Sequence, residues 1–207
     1  MRTRNTLSVL LLILWIGLLI NNFMDLMEYL RQFGLEAFKL ESFIFNLAFF
    51  IITIFMCIFL FTGRYKLFAI FFGIYTIAEA LYSGINASRV SVGIDFKSLI
   101  ETGDYKVMLY IITGFYLDFL TMAAYAVTLV IAIIMCLIGN RARYKMSYVT
   151  MNIGYAIAIV RALTIIFWFM NRTDGFELME IIFELLSAVF FSIIYISVPR
   201  DLPYFFD

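Results

Sequence analysis

Apolar stretches follow one another along this chain, each long enough to cross the hydrocarbon core of a bilayer, separated by short polar breaks. A crossing helix needs about 20 mostly apolar residues, whereas a membrane β-barrel shows period-two alternation in segments of about ten. The runs here are continuous, so the pattern predicts helices. Six spans are expected: 7–24, 42–62, 67–85, 114–139, 146–170 and 176–198. The first follows Met-Arg-Thr-Arg, a flank like that of a signal peptide. No small-x-small cleavage site follows Ile20, so it is read as a retained anchor.

The fourth apolar run needs separate treatment. Val107 to Gly139 is 33 residues, about 50 Å as a helix, too long for one perpendicular crossing and too short for two. Either the helix projects beyond the bilayer or Val107–Thr113 lies at the interface. Before it, Asn86–Lys106 is the longest polar stretch. Together with Asp25–Glu41 it mixes apolar and charged residues, as a short amphipathic surface helix would.

Composition agrees with lipid as the solvent. Of 207 residues, 64% are hydrophobic and 14% charged, against roughly 45–50% and about 25% in soluble domains. The only prolines, Pro199 and Pro203, stand near the C-terminus and leave the remaining chain free to run as helix. The expected fold is therefore all-α, a polytopic transmembrane helical bundle forming a single integral membrane domain over 1–207.

Basic residues give the orientation. The turns Gly63–Lys66 and Asn140–Lys145 hold two and three basic residues and no acid. Asp25, Glu28, Glu36, Glu41, Asp95, Glu101, Asp104, Asp174 and Glu177 fall on the opposite side of a six-span layout. This places both termini in the cytoplasm, with the plasma membrane as the expected location.

An internal repeat is also suggested. Met56-Cys57 precedes Arg64-Tyr65-Lys66 at the same distance as Met135-Cys136 precedes Arg143-Tyr144-Lys145, a constant offset of 79 (136 − 57, 143 − 64). Spans two and three would form one helical hairpin and spans four and five a parallel copy, flanked by a first and a last helix. Parallel repeats occur in transporters. Arg-Tyr-Lys is equally what any cytoplasmic turn needs, basic anchors beside an interfacial aromatic.

Four ionisable residues fall inside apolar spans: Glu79, Asp118, Arg161 and Glu184. A charge at the bilayer centre costs on the order of 3 kcal/mol, so such groups turn inward to pair or line a wet cavity. Counted from Lys66 and Lys145 on one side and from the outer ends of the spans on the other, all four belong to the outer half. Three readings follow. Arg161 pairs with a carboxylate, most simply Glu184, and fixes helix packing. Alternatively the surplus acids line an outward pocket for a cation, proton or amine. In the third, the side chains snorkel to the outer surface.

Tyr75, Tyr82, Tyr110, Tyr116 and Tyr155 are weaker pocket candidates. Ala123, Ala124, Ala126, Ala156, Ala158 and Ala162 suit close helix contact. Asn86-Ala87-Ser88 and Asn171-Arg172-Thr173 match the glycosylation acceptor pattern by residue type alone.

Much chemistry is excluded. With no histidine, zincin-like hydrolysis and Ser-His pairs are ruled out. Two cysteines provide neither a disulfide framework nor a zinc site. No phosphate-binding glycine loop occurs, and Asp118 lacks a second intramembrane aspartate for a catalytic pair. No catalytic, cofactor-binding or metal-binding residue is expected, and a zero net charge argues against nucleic acid. The expectation is a non-catalytic membrane subunit or an interaction, sensor or immunity-type protein, bound to another membrane protein or to itself. The alternative is a small-solute or cation transporter or channel that uses the charged cluster.

Overall fold

In a computed structural model of the chain, residues 40–171 and 178–206 are described, with isolated positions between 9 and 31. The first expected span falls mostly outside the described residues. Six helices run through the rest: α1 (Leu40–Phe61), α2 (Tyr65–Gly93), α3 (Phe96–Thr102), α4 (Tyr105–Leu137), α5 (Arg143–Asn171) and α6 (Leu178–Phe205). No strand occurs among the described residues. Three helices, α2, α4 and α5, are long and apolar enough to cross a membrane.

Several boundaries move from where apolarity alone puts them. The third run was expected to stop at Ile85, yet α2 continues to Gly93. Polar residues end a hydrophobic run without ending a helix, because Asn86, Ser88 and Arg89 carry no backbone penalty comparable to proline. Hydroxyls bonded to the preceding turn ease this extension, with Ser88 Oγ donating to Ile85 O at 2.7 Å and Ser91 Oγ to Ala87 O at 2.9 Å. The rest of the polar stretch forms α3, whose Asp95 carboxylate accepts from Lys97 N at 3.0 Å.

The long fourth run is one unbroken helix with a widened π turn over Ile112–Leu117. The wide turn changes which face points inward. Thr113 is buried and Asp118 is partly buried, five residues apart, the spacing of an i→i+5 turn. Below it the buried face resumes an α-helical rhythm at Met122, Tyr125, Leu129, Ala132 and Cys136. Gly114 lies in this turn, where a Cβ would come within 3.0 Å of Thr164 Cγ2 on α5.

Two turns end in the same way. Gly63 (φ 70) and Gly139 (φ 66) take the left-handed conformation that stops a helix without a Cβ penalty. Arg64 N bonds Phe59 O at 2.8 Å, and Asn140 N bonds Met135 O at 2.9 Å. These caps correspond at an offset of 76 (139 − 63), whereas the sequence motifs correspond at 79. The second turn carries three more residues, Asn140, Arg141 and Ala142, before its Arg-Tyr-Lys. Cys57 thus stands six residues before its glycine and Cys136 three, so the cysteines are not equivalent positions on their helices.

The chain divides into two compact units, Met1–Ala78 with Tyr204–Asp207, and Glu79–Pro203. The first is packed by aromatic rings: Phe49 against Tyr75 at 5.3 Å, Phe59 against Phe71 at 5.0 Å, and Tyr65 stacked on Phe205 at 5.6 Å. Such offset and edge contacts give aromatic pairs about 0.5–1.5 kcal/mol beyond area burial. The second unit contains α3, α4 and α5, with the C-terminal part of α2 and most of α6.

Helix α6 runs straight through both prolines. Pro199 has no N–H to give to the carbonyl four residues back, which is Tyr195 O. That oxygen accepts instead from the Tyr125 hydroxyl of α4 at 3.0 Å. Opposite, Gly154 of α5 has no side chain, and a Cβ there would collide with the Tyr195 carbonyl. An unpaired carbonyl is expensive where no water reaches, so Pro199, Tyr125 and Gly154 form one device that keeps the Tyr195 carbonyl paired. Tyr125→Phe is expected to lower stability by about 1 kcal/mol in detergent solution. In a Pro199→Ala background, where residue 199 regains its N–H, the same change should cost clearly less in thermal unfolding. Equal costs in both backgrounds would refute the coupling.

Candidate functional site

The charged residues of three helices meet in the second unit. Arg161 of α5 donates from Nη2 to Glu79 Oε1 of α2 at 2.7 Å, and its Nε lies 3.6 Å from Asp118 Oδ1 of α4. Each carboxylate turns its other oxygen to a hydroxyl. Ser83, one turn beyond Glu79, donates to Asp118 Oδ2 at 2.5 Å, and the Tyr195 hydroxyl donates to Glu79 Oε2. The guanidinium also lies against two α6 rings, 4.9 Å from the centroid of Phe191 and 5.2 Å from that of Tyr195. A cation facing ring π-density gains attraction without needing a further hydrogen-bond acceptor.

Local sequence explains why these groups converge. Glu79 and Ser83 are four apart on α2 and so share a face. Phe191 and Tyr195 are likewise four apart on α6. On α5, Thr150, Gly154, Ile157 and Arg161 fall on the buried stripe at intervals of three and four. Asp118 and Met122 are four apart on α4, just after the π turn, and the Met122 sulfur lies 3.9 Å from Arg161 Nη2. Arg161 stands 18 residues into α5, about 27 Å from its first residue, and Asp118 stands at a similar height above the end of α4.

Solvent access to the cluster is small. The side chains of Arg161, Glu79 and Asp118 retain 18%, 14% and 17% of their exposure, so the groups are mostly withdrawn but not sealed. At this burial a charge is tolerable only when paired and hydrogen-bonded. Every charged oxygen named here has a donor or the guanidinium beside it. Formally one positive charge meets two negative ones.

Of the four expected residues, Glu79, Asp118 and Arg161 come together. Glu184 lies on α6, but its side chain is outside the described residues, as is any pairing it makes. The partners described for Arg161 are Glu79 and Asp118. On α6 the cluster is met by Phe191 and Tyr195, which stand 7 and 11 residues beyond Glu184.

The tyrosines singled out by sequence have different surroundings. Tyr75 is stacked within the first unit, Tyr116 hydrogen-bonds Ser91 at 2.7 Å, and Tyr155 is exposed. Tyr195 and Tyr125 were missed, and both are fully buried. A signal for them existed in Pro199, which marks Tyr195 as the residue whose carbonyl needs an outside donor. Ser83 was also missed, although its place one turn after Glu79 is readable. Of the two glycosylation tripeptides, Asn86 lies within α2. The Asn171 amide donates to Lys106 O at 2.9 Å and Phe167 O at 2.8 Å, tying α5 to the start of α4.

Among the described residues no group of three or more His, Cys, Asp or Glu is placed to hold a metal ion. The arrangement therefore offers ion pairing and hydrogen bonding within the protein. No protein-family model matches the chain, and no curated protein or solved structure matches it.

Removing Arg161 leaves two carboxylates facing each other without a cation. Arg161→Ala is expected to destabilise the purified protein by roughly 2–4 kcal/mol. Adding Glu79→Gln should recover part of the loss, because it removes one of the orphaned charges. A double mutant no more stable than Arg161→Ala, measured by thermal unfolding in one detergent, would show that repulsion between the acids is not the cause.

Proposed function

We propose that this chain is a non-catalytic multi-pass membrane protein that acts by binding another membrane component, as a subunit or an interaction, sensor or immunity-type protein. One observation carries the reading: among the described residues, the charges of Glu79, Asp118 and Arg161 are spent on one another. Arg161 is taken by Glu79 and Asp118, and their free oxygens by Tyr195 and Ser83. A closed network of this kind fixes helix packing. It leaves none of the charged groups of Glu79, Asp118 and Arg161 waiting for a solute.

The proposed layout has six spans, both termini in the cytoplasm, and the plasma membrane as its location. Two similar hairpins would form its middle. In support, both turns share a glycine-stopped helix end followed by Arg-Tyr-Lys, and the basic turns lie opposite the acidic outer segments. In intact cells, cysteines introduced at Arg64 and Arg141 should resist a membrane-impermeant thiol reagent while one at Ser98 on α3 reacts. Labelling of all three, or the reverse pattern, would overturn the orientation.

A second reading, a cation or small-solute transporter, draws on the two carboxylates per guanidinium. The two readings separate in one experiment. Mild-detergent extracts of native membranes, sized and quantified by mass spectrometry, should hold the protein in a complex of fixed stoichiometry. A monomer that moves cations into reconstituted vesicles, and stops doing so on Glu79→Gln, would replace the first reading with the second.

A further inference from the structure

One face of α5 carries an exposed polar group among apolar neighbours. Asn152 is exposed, nine residues into the helix and seven beyond Lys145, about 10 Å deeper than that basic anchor. Its amide has no hydrogen-bond partner among the described residues. An amide in hydrocarbon with neither donor nor acceptor met is costly, and polar residues of this kind hold helices together across interfaces.

The surrounding positions form a seam. Tyr148, Asn152, Tyr155, Ile159, Ala162 and Ile166 are all exposed and follow one another at steps of four and three. That alternation is the 3.5-residue repeat of a helix that packs lengthwise against another helix. It lies away from the stripe that α5 buries at Thr150, Gly154 and Ile157. Ala162 keeps the upper part of the seam low enough for close approach.

We infer that α5 is the contact between two copies of this chain, arranged about a twofold axis with Asn152 bonded to Asn152 of the second copy. Two arguments select a copy over a different protein. An amide carries donor and acceptor together, so it complements itself across a twofold axis, where each residue meets its own counterpart. Two copies inserted the same way also put Asn152 at the same depth, which a parallel heptad seam requires. A single asparagine in such a seam sets register and oligomeric state. This inference rests on the interaction reading of the protein and names its partner.

The test uses the full chain in membranes, with Cys57 and Cys136 replaced by alanine. Oxidative cross-linking of Asn152→Cys should give a reducible dimer at twice 24.1 kDa. Val127→Cys, exposed on α4, should not. Energy transfer between labelled copies in phosphatidylcholine vesicles should weaken about 3- to 20-fold for Asn152→Leu and persist for Asn152→Gln, with unchanged thermal unfolding. Cross-linking of residue 152 no stronger than of residue 127 would overturn the inference, as would its capture by another segment of the same chain. Cross-linking of residue 152 to a different polypeptide would also overturn it, while leaving the broader interaction reading standing. Glu79-dependent cation uptake by a monomer would sink both.

Discussion

The guanidinium of Arg161 stays charged and keeps only a small share of its contact with solvent, so the helices around it must supply most of what water would. Two carboxylates, a methionine sulfur and two aromatic rings surround it, drawn from α2, α4 and α6. Most of the second unit's geometry follows from that requirement. The π turn in α4 is the clearest case. Without the extra residue in that turn, the stretch before it that buries Ile111 would be rotated by about 100° relative to the face carrying Asp118, Met122 and Tyr125.

Backbone satisfaction is coupled to side-chain satisfaction through Tyr195. Its hydroxyl serves Glu79, its ring faces Arg161, and its carbonyl, left without a donor by Pro199, is held by Tyr125. Gly154 lies against the Tyr195 carbonyl of α6, seven residues before Arg161 on the same face. The proline therefore does not merely interrupt a hydrogen-bond ladder. It frees an acceptor that a neighbouring helix uses, and this fixes α6 against α4 at the height where the charge needs Tyr195. In a soluble protein water would take that carbonyl and the constraint would relax. In hydrocarbon it cannot.

What was legible in the sequence, and what was not, divides along this line. Helicity and apolar length follow from composition and periodicity, and α2, α4 and α5 carry them plainly. The intramembrane charges are legible because each is an exception to its surroundings. Pairing was harder, since proximity in chain order does not point to Glu79, 82 residues from Arg161, or to Asp118 as its partners. Sequence order says little about which helices are neighbours in a bundle. The π turn had no compositional mark beyond Gly114. The 79-residue offset illustrates the opposite hazard, because identical short motifs can lie on helix ends that correspond at 76.

The excess of one carboxylate bears on whether the cluster is a lock or a port. A transport site must be costly when empty, so that its solute is drawn in, and must present unmet groups to an opening. Here the surplus acid is not unmet. Ser83 and Tyr195 each give a hydroxyl proton to a carboxylate, spreading the second negative charge over neutral donors that were already in place. Those hydroxyls come from α2 and α6, so the charge they stabilise ties the outer helices to the pair on α4 and α5. Opening the cluster to a solute would break at least one of these bonds in an apolar setting, with no water to replace it. The same donors that make the extra charge tolerable thus make the network costly to open, and that favours a lock.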